Sequence, residues 1–115
     1  MRIMLKSKIH HARVTARDLN YIGSIFIDEA LLEKANILPY EKVEVINVSN
    51  GNRWETYAGA AQKGSGIVSV NGGGARLCYE GDLLIILAYE MTERLDEKPT
   101  MIRVDHNNHF VEYLS

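Results

Sequence analysis

Cysteine is all but missing from this chain: Cys78 stands alone, so no intrachain disulfide can form and a reducing compartment is the expected setting. Long apolar runs are missing as well. The longest, Leu83 to Tyr89, is far too short to cross a bilayer. The basic opening Met1 to Lys6 has no apolar stretch before Lys8 that would read as a secretory signal. Nor does one sign of charge dominate. Thirteen Lys and Arg against fifteen Asp and Glu leave a formal charge of −2, which gives no electrostatic reason to expect nucleic acid or an acidic membrane surface as partner. Proline occurs twice, and no linker, repeat or low-complexity stretch is evident. These absences point to a cytoplasmic protein.

What is present suits one globular domain over residues 1–115. The chain is 46% apolar and 24% charged, enough for a single core but not for two. Most of it speaks in period two. Arg2 to Ile9 and Ala12 to Thr15 read as short extended pieces, and Lys42 to Val48 alternates as a half-buried strand. Asn50-Gly51 signals a hairpin, because both residues tolerate positive φ, and Arg53 to Ala58 is the returning strand. Gly66 to Val70 follows, then the turn Asn71-Gly72-Gly73-Gly74. Leu83 to Ala88 reads as a strand buried on both faces. Met101 to Asp105 and His109 to Tyr113 flank Asn107-Asn108 as a last hairpin. Helix is scarce: Asp28 caps one running from Glu29 to Ala35, with Asn36 as its stop. Ala75 to Cys78 predicts a turn of helix, and another helix is expected between Met91 and Pro99. Many short strands with turns between them predict a mainly β fold, a small β-barrel with short helices.

Within Asn20-Tyr21-Ile22-Gly23-Ser24-Ile25-Phe26-Ile27-Asp28, the pair Gly23-Ser24 has two readings. The plain one is a tight turn or bulge. The chemical one uses the freedom of Gly23 to hold a strained backbone with its carbonyl open, and the Ser24 hydroxyl as the nucleophile that attacks it. Transfer of the acyl group from nitrogen to oxygen gives an ester. Elimination across Ser24 and hydrolysis would then leave a pyruvoyl group.

Five segments fall together in order and spacing: Leu5-Lys6-Ser7-Lys8-Ile9-His10, Tyr21-Ile22-Gly23-Ser24-Ile25, Asn47 to Tyr57, Val70-Asn71-Gly72-Gly73-Gly74-Ala75, and Gly81-Asp82. In this, from about Met4 to Tyr89, the chain resembles the pyruvoyl-dependent aspartate 1-decarboxylases. The resemblance implies a six-stranded double-psi β-barrel. It also implies a homotetramer with active sites between subunits, and a carboxy-lyase that turns L-aspartate into β-alanine and CO2 for pantothenate and coenzyme A synthesis. It implies a zymogen cut autocatalytically between Gly23 and Ser24 into a β-chain, 1–23, and an α-chain, 24–115. The cofactor would be the covalent pyruvoyl made from Ser24, forming a Schiff base with substrate, with neither pyridoxal phosphate nor metal. Some relatives use an accessory maturation factor.

Roles carry over position by position. Tyr57 matches the proton donor. Arg53 matches the residue that pairs with the substrate carboxylate. Thr56 and Asn71 match residues that assist backbone cleavage, and Thr56 also lines the substrate site. Lys8 matches a substrate-contacting lysine, and Gly72, Gly73 and Gly74 would present backbone N–H groups to substrate. Tyr21 and His10 match further pocket positions.

The chain departs from that family in places. Gly73 and Gly74 stand where alanines are usual, which predicts a looser turn. Phe26 replaces a smaller residue, Trp54 a phenylalanine, Ile46 a tryptophan of some members and His11 a common arginine. Two rival readings stay open: an uncleaved, slow or inactive proenzyme homologue, and a non-catalytic β-barrel binding module. His10 and His11 are expected on opposite faces of a strand. His106 and His109 flank a turn without a third ligand, so no closed zinc site is expected. Cys78 reads as a small packing residue rather than a nucleophile.

Overall fold

Strands β1 (Arg2–Arg13) and β2 (Ala16–Asp18) are two residues apart in the chain, yet far apart in the order of the sheet they share. The computed structural model, which describes residues 1–115, adds seven more strands. These are β3 (Ser24–Asp28), β4 (Lys42–Asn47), β5 (Arg53–Ala61), β6 (Val68–Asn71), β7 (Leu83–Thr92), β8 (Thr100–Val104) and β9 (Phe110–Leu114). Their hydrogen-bonded order is β2-β6-β3-β5-β4-β7-β1-β8-β9. Because consecutive Cα atoms lie only about 3.8 Å apart, the Val14-Thr15 joint forces this sheet to curl. Val14 N–H donates to the Asp82 carbonyl at 3.0 Å beside β7, and Thr15 N–H donates to the Val68 carbonyl at 2.9 Å on β6. The mainly β expectation therefore holds. The sheet has nine strands, however, and its ladder is not closed. Six strands, β6 to β1, form the middle of the order, while β2 and the β8–β9 hairpin are added at its ends.

The curled sheet wraps one core. Ile9, Ile25, Ile27, Val43, Val45, Val68, Val70, Leu84, Ile86 and Ile102 face inward and are essentially inaccessible to solvent. Helix α1 (Glu29–Ala35) plugs one end through Leu31, Leu32 and Ala35. It begins and ends where its caps dictate: Asp28 accepts from Ala30 N–H at 2.8 Å, and Asn36 closes it in the left-handed region at φ 59°. The buried Asp28 carboxylate also accepts from Gly64 N–H at 2.9 Å and Gly66 N–H at 2.8 Å, which fastens the β5–β6 loop to the helix start.

Several expectations are corrected. Strand β7 is not buried on both faces: Leu84, Ile86 and Ala88 are buried, whereas Leu83, Ile85 and Leu87 are half-exposed, because nothing in the chain covers its outer face. No helix follows Met91, since β7 stays paired with β1 out to Arg2 and Thr92. The Asn50-Gly51 turn has only Gly51 at positive φ, 82°. Asn50 instead joins Asn47 and Asn52 in donating side-chain amides to the Leu77 carbonyl, at 3.1 to 3.2 Å. The turn of helix expected at Ala75 to Cys78 is present as a 3₁₀ helix, Gly72–Leu77, which starts earlier and takes in the glycines expected to form an open turn. His10 and His11 do not point apart, because a bulge puts His11 at φ 65°. Their rings stack with centroids 3.7 Å apart.

Candidate active site

Ser24 opens β3 and sits between two partners. It pairs antiparallel with Asn71 on β6, while on the other side Ile25 pairs in parallel with Ala58 on β5. That register sets Ser24 level with Tyr57. On β5, Arg53, Glu55, Tyr57 and Gly59 share one face, and Trp54, Thr56 and Ala58 share the other. Ser24 and Tyr57 accordingly open together into a pocket of about 280 Å³, lined also by Tyr21, Phe26, Pro39 and Tyr40.

The Ser24 side chain is 2% exposed, and its Oγ has no hydrogen-bond partner. Leaving a buried hydroxyl unsatisfied costs about 1–3 kcal/mol, so such a group calls for an explanation; His10 Nδ1 is likewise unpartnered, and it is the place of Ser24 on the pocket beside Tyr57 that makes it the candidate for chemistry. The residue before it is closely approached by Gly72, although a Cβ on Gly23 itself would meet nothing nearer than the Asn71 carbonyl oxygen at 4.0 Å. Gly72 has φ +74°, and a Cβ there would fall 2.5 Å from the Gly23 Cα and 3.0 Å from the Gly23 nitrogen. Only glycine at 72 lets the 3₁₀ turn lie flat against the peptide that precedes Ser24. Asn71, 6% exposed, has its side-chain oxygen accepting from the Ser69 hydroxyl at 3.2 Å. Gly23, Ser24, Asn71 and Gly72 thus converge on one peptide bond, and a pyruvoyl group formed at Ser24 would open on the face that Tyr57 lines.

Not every residue picked out from the sequence converges there. Thr56 is on the opposite face of β5 from Tyr57, half-buried and level with the chain entering β3. Arg53 lies four residues before Tyr57, roughly 13 Å along the strand, and its guanidinium pairs with Glu44 at 3.2 Å. Lys8 is on β1, between Leu87 of β7 and Met101 of β8, three strands removed from β5. Tyr21 does join the pocket, its ring set edge-on to Phe26 with centroids 5.9 Å apart. His10 does not line it; burial first, then the charges of His11, Lys8 and Arg103, hold its imidazole below the ordinary value. The folded chain therefore binds fewer protons than the unfolded chain just below about pH 6.5, and stability falls as the pH drops through that range. The thermal midpoint is expected to decline from about pH 7 to about pH 5.5, and His10→Gln should flatten that decline; an equal slope in the variant would show that His10 is not its source.

Four contributors were missed in the sequence. Tyr40 stacks on Tyr57, centroids 6.2 Å apart and planes within 16°, from a left-handed backbone at φ 72° that no local signal announces for a tyrosine. Glu44 and Tyr89 frame Arg53: the Tyr89 hydroxyl donates to Glu44 at 2.8 Å. That bond, aided by Arg53 against the effect of partial burial, lowers the Glu44 carboxyl from its usual range. Gly59 gives Phe26 its place, since a Cβ there would collide with the Phe26 ring. A cross-strand pairing diagram could have found Glu44 opposite Glu55, and beside Arg53, but not the bonds they make.

The departures from the family fit one another. A Cβ at Gly74 would fall 2.7 Å from the Trp54 indole nitrogen, so the larger ring at 54 and the missing methyl at 74 are complementary. Of Gly72, Gly73 and Gly74, only Gly73 would carry a Cβ into open space. Cys78 is buried, and burial followed by the charge of Asp82 pushes its thiol up to about 11, as suits a packing residue. No group of three or more His, Cys, Asp or Glu side chains gathers to hold a metal ion, and no helix is long and apolar enough to cross a membrane.

Comparison with known proteins meets this geometry from the other side. Residues 1–111 match the family model described as aspartate decarboxylase. The chain is 52% identical over 110 residues to the aspartate 1-decarboxylase of Thermoanaerobacter pseudethanolicus, covering 93% of this chain and 94% of the relative. It is 51% identical over 112 residues to that of Carboxydothermus hydrogenoformans, covering 95% and 88%. With the aspartate 1-decarboxylase of Clostridium botulinum strain Loch Maree it shares 50% over 109 residues, covering 91% and 85%. An unpartnered serine on the pocket beside Tyr57, and a match of this length, lead to one conclusion: the chain belongs to the aspartate decarboxylase family.

Proposed function

We propose that this chain cuts its own backbone between Gly23 and Ser24 and then decarboxylates L-aspartate to β-alanine and CO2. The observation that carries the reading is the buried Ser24 hydroxyl, left without a partner on the pocket beside Tyr57 and next to a glycine that Gly72 approaches too closely for any Cβ at 72. The Ser24 oxygen adds to the Gly23 carbonyl carbon, and the peptide C–N bond breaks as the ester forms and the Ser24 nitrogen takes up a proton. Loss of the Ser24 α-proton expels the Gly23 carboxylate and leaves a double bond at residue 24. One water then replaces the nitrogen, which leaves as ammonia. No oxidant is needed, and the products are fragments 1–23 and 24–115, the second beginning in a pyruvoyl group. Thr56 and Asn71 flank the bond in this step.

A pyruvoyl group supplies a ketone that condenses with the substrate amine and an adjacent carbonyl that takes up the electrons released with CO2. This chain's residues do the rest. Tyr57 holds a hydroxyl on the pocket face of Ser24 and returns a proton to the substrate Cα. Arg53 binds a substrate carboxylate through both oxygens, Lys8 contacts substrate, and the N–H groups of Gly72 to Gly74 line the cradle. The separation of Arg53 and Lys8 from Ser24 within one chain favours a homotetramer in which a neighbour brings them to the pocket. The exposed Tyr21, Ile22, Leu38 and Tyr40 around the pocket favour the same assembly. The product would serve pantothenate and coenzyme A synthesis in the cytoplasm.

The test is the intact mass of the purified chain under denaturing conditions. Two fragments parted after Gly23 are expected, the larger blocked at its N-terminus and lighter by one ammonia than simple hydrolysis would leave it. A single full-length species after prolonged warming would favour an uncleaved proenzyme instead.

A further inference from the structure

We infer that Trp54 is a positioning residue for self-cleavage: its indole, packed against Gly74, sets how closely Gly72 approaches Gly23. The inference rests on the self-cleavage reading and names the element that governs its rate.

Trp54 pairs with Val45 on the inward face of β5 and packs against the core, so its ring is anchored at both root and flank. Its indole nitrogen and Cε2 would lie 2.7 and 3.2 Å from a Cβ on Gly74, and Val70 Cγ1 would lie 3.2 Å away. Distances this short mean that the ring is flush with the backbone of the 3₁₀ turn. Two residues earlier in that turn, a Cβ on Gly72 would fall 2.5 Å from the Gly23 Cα, 3.0 Å from its nitrogen and 3.4 Å from the Tyr21 carbonyl oxygen, so the Gly72 backbone lies close against that segment. Residues 72 and 74 belong to one short 3₁₀ helix, Gly72–Leu77, and lie within its first turn. A push at Gly74 is therefore delivered at Gly23.

The direction of the effect follows from the geometry of attack. The Ser24 oxygen must reach the Gly23 carbonyl carbon at about 3–3.5 Å and in line, and a misplacement of about 1 Å costs about 10²-fold in rate. Ser24 is fixed by its own pairing with Asn71 of β6 and by the pairing of the next residue, Ile25, with Ala58 of β5, so the adjustable partner is Gly23, and its backstop is Gly72. Gly74→Ala drives the turn away from the indole. Trp54→Phe withdraws the wedge. Together, the added methyl fills the space that the smaller ring vacates.

First-order cleavage of freshly purified precursor, followed by denaturing mass spectrometry, tests this on four chains: wild type, W54F, G74A and W54F/G74A. We expect G74A to cleave roughly 10- to 100-fold more slowly, W54F to slow by about 3- to 10-fold, and the double variant to return within about 3-fold of wild type. Thermal midpoints are measured alongside, because a merely structural role would lower them without changing the rate of the folded chain. A G74A rate equal to wild type, or a double variant no faster than G74A, overturns the inference. Should G74A not fold, W54F carries the test, since a folded W54F chain cleaving at the wild-type rate overturns it equally. A wild-type chain that never cleaves sinks the self-cleavage reading itself, whereas a cleaving wild type with insensitive variants sinks this inference alone.

Discussion

A Ser24→Ala chain is expected to remain in one piece, to form no β-alanine from aspartate, and to fold at least as well as the wild-type precursor. The first two outcomes follow because the ester and the pyruvoyl group are both built from the Ser24 side chain, whose oxygen alanine lacks. The nearest hydroxyl on β6, that of Ser69, is engaged with Asn71. The third follows from the state of the wild-type group: Ser24 is buried and its Oγ unpartnered, so alanine removes an unsatisfied donor and keeps the backbone. The relief is about 1–3 kcal/mol, offset in part by the small void left behind. Mass spectrometry, a β-alanine assay and thermal melting of the two precursors check all three. A variant that still splits after Gly23, or that melts well below the precursor, would remove the case for a hydroxyl held ready at a structural cost.

That cost was invisible in the sequence, although its site was not. What could be read locally came out as read. Asp28 and Asn36 bound a helix because capping is decided within a few residues. Alternation in Lys42–Asn47 survives as buried Val43 and Val45 between half-exposed neighbours. What failed depended on remote partners. Whether the outer face of Leu83 to Ala88 is covered is decided by other elements, and a run of leucine and isoleucine looks the same in either case. The stacking of His10 on His11 needs the bulge that pairing with β7 imposes.

The candidate site divides along the same line. Ser24, Tyr57 and Asn71 meet because they occupy adjacent strands in register. Their spacing in the sequence marked them, and the sheet brings them together. Arg53 and Lys8 were marked by the same resemblance, yet one chain keeps them away from Ser24. The fit between Trp54 and Gly74, and between Phe26 and Gly59, is a matter of volumes meeting across strands. Read singly, each substitution suggested a perturbed site; read as contacts, they describe a repacked one.

Tyr57→Phe separates the two reactions that share this pocket. The ring is held by stacking on Tyr40, centroids 6.2 Å apart, and by its place on β5 opposite Lys42. Phenylalanine keeps both and removes only the hydroxyl. Cleavage uses the Ser24 oxygen and the Gly23 carbonyl, neither of which needs that hydroxyl, so the variant is expected to split after Gly23 at close to the wild-type rate. Decarboxylation does need it, because the carbon that loses CO2 must regain a proton before product leaves. Loss of a positioned acid lowers turnover by about 10²- to 10⁴-fold, or roughly 3 to 5 kcal/mol of barrier. The KM for aspartate should move little, since substrate carboxylates are assigned to Arg53 rather than to Tyr57. CO2 release measured separately from β-alanine sharpens the reading further. If carbon–carbon cleavage proceeds and product formation stalls, Tyr57 acts after decarboxylation, as its assigned role requires. A cleaved Tyr57→Phe chain making β-alanine at the wild-type rate would take the proton-donor role away from Tyr57.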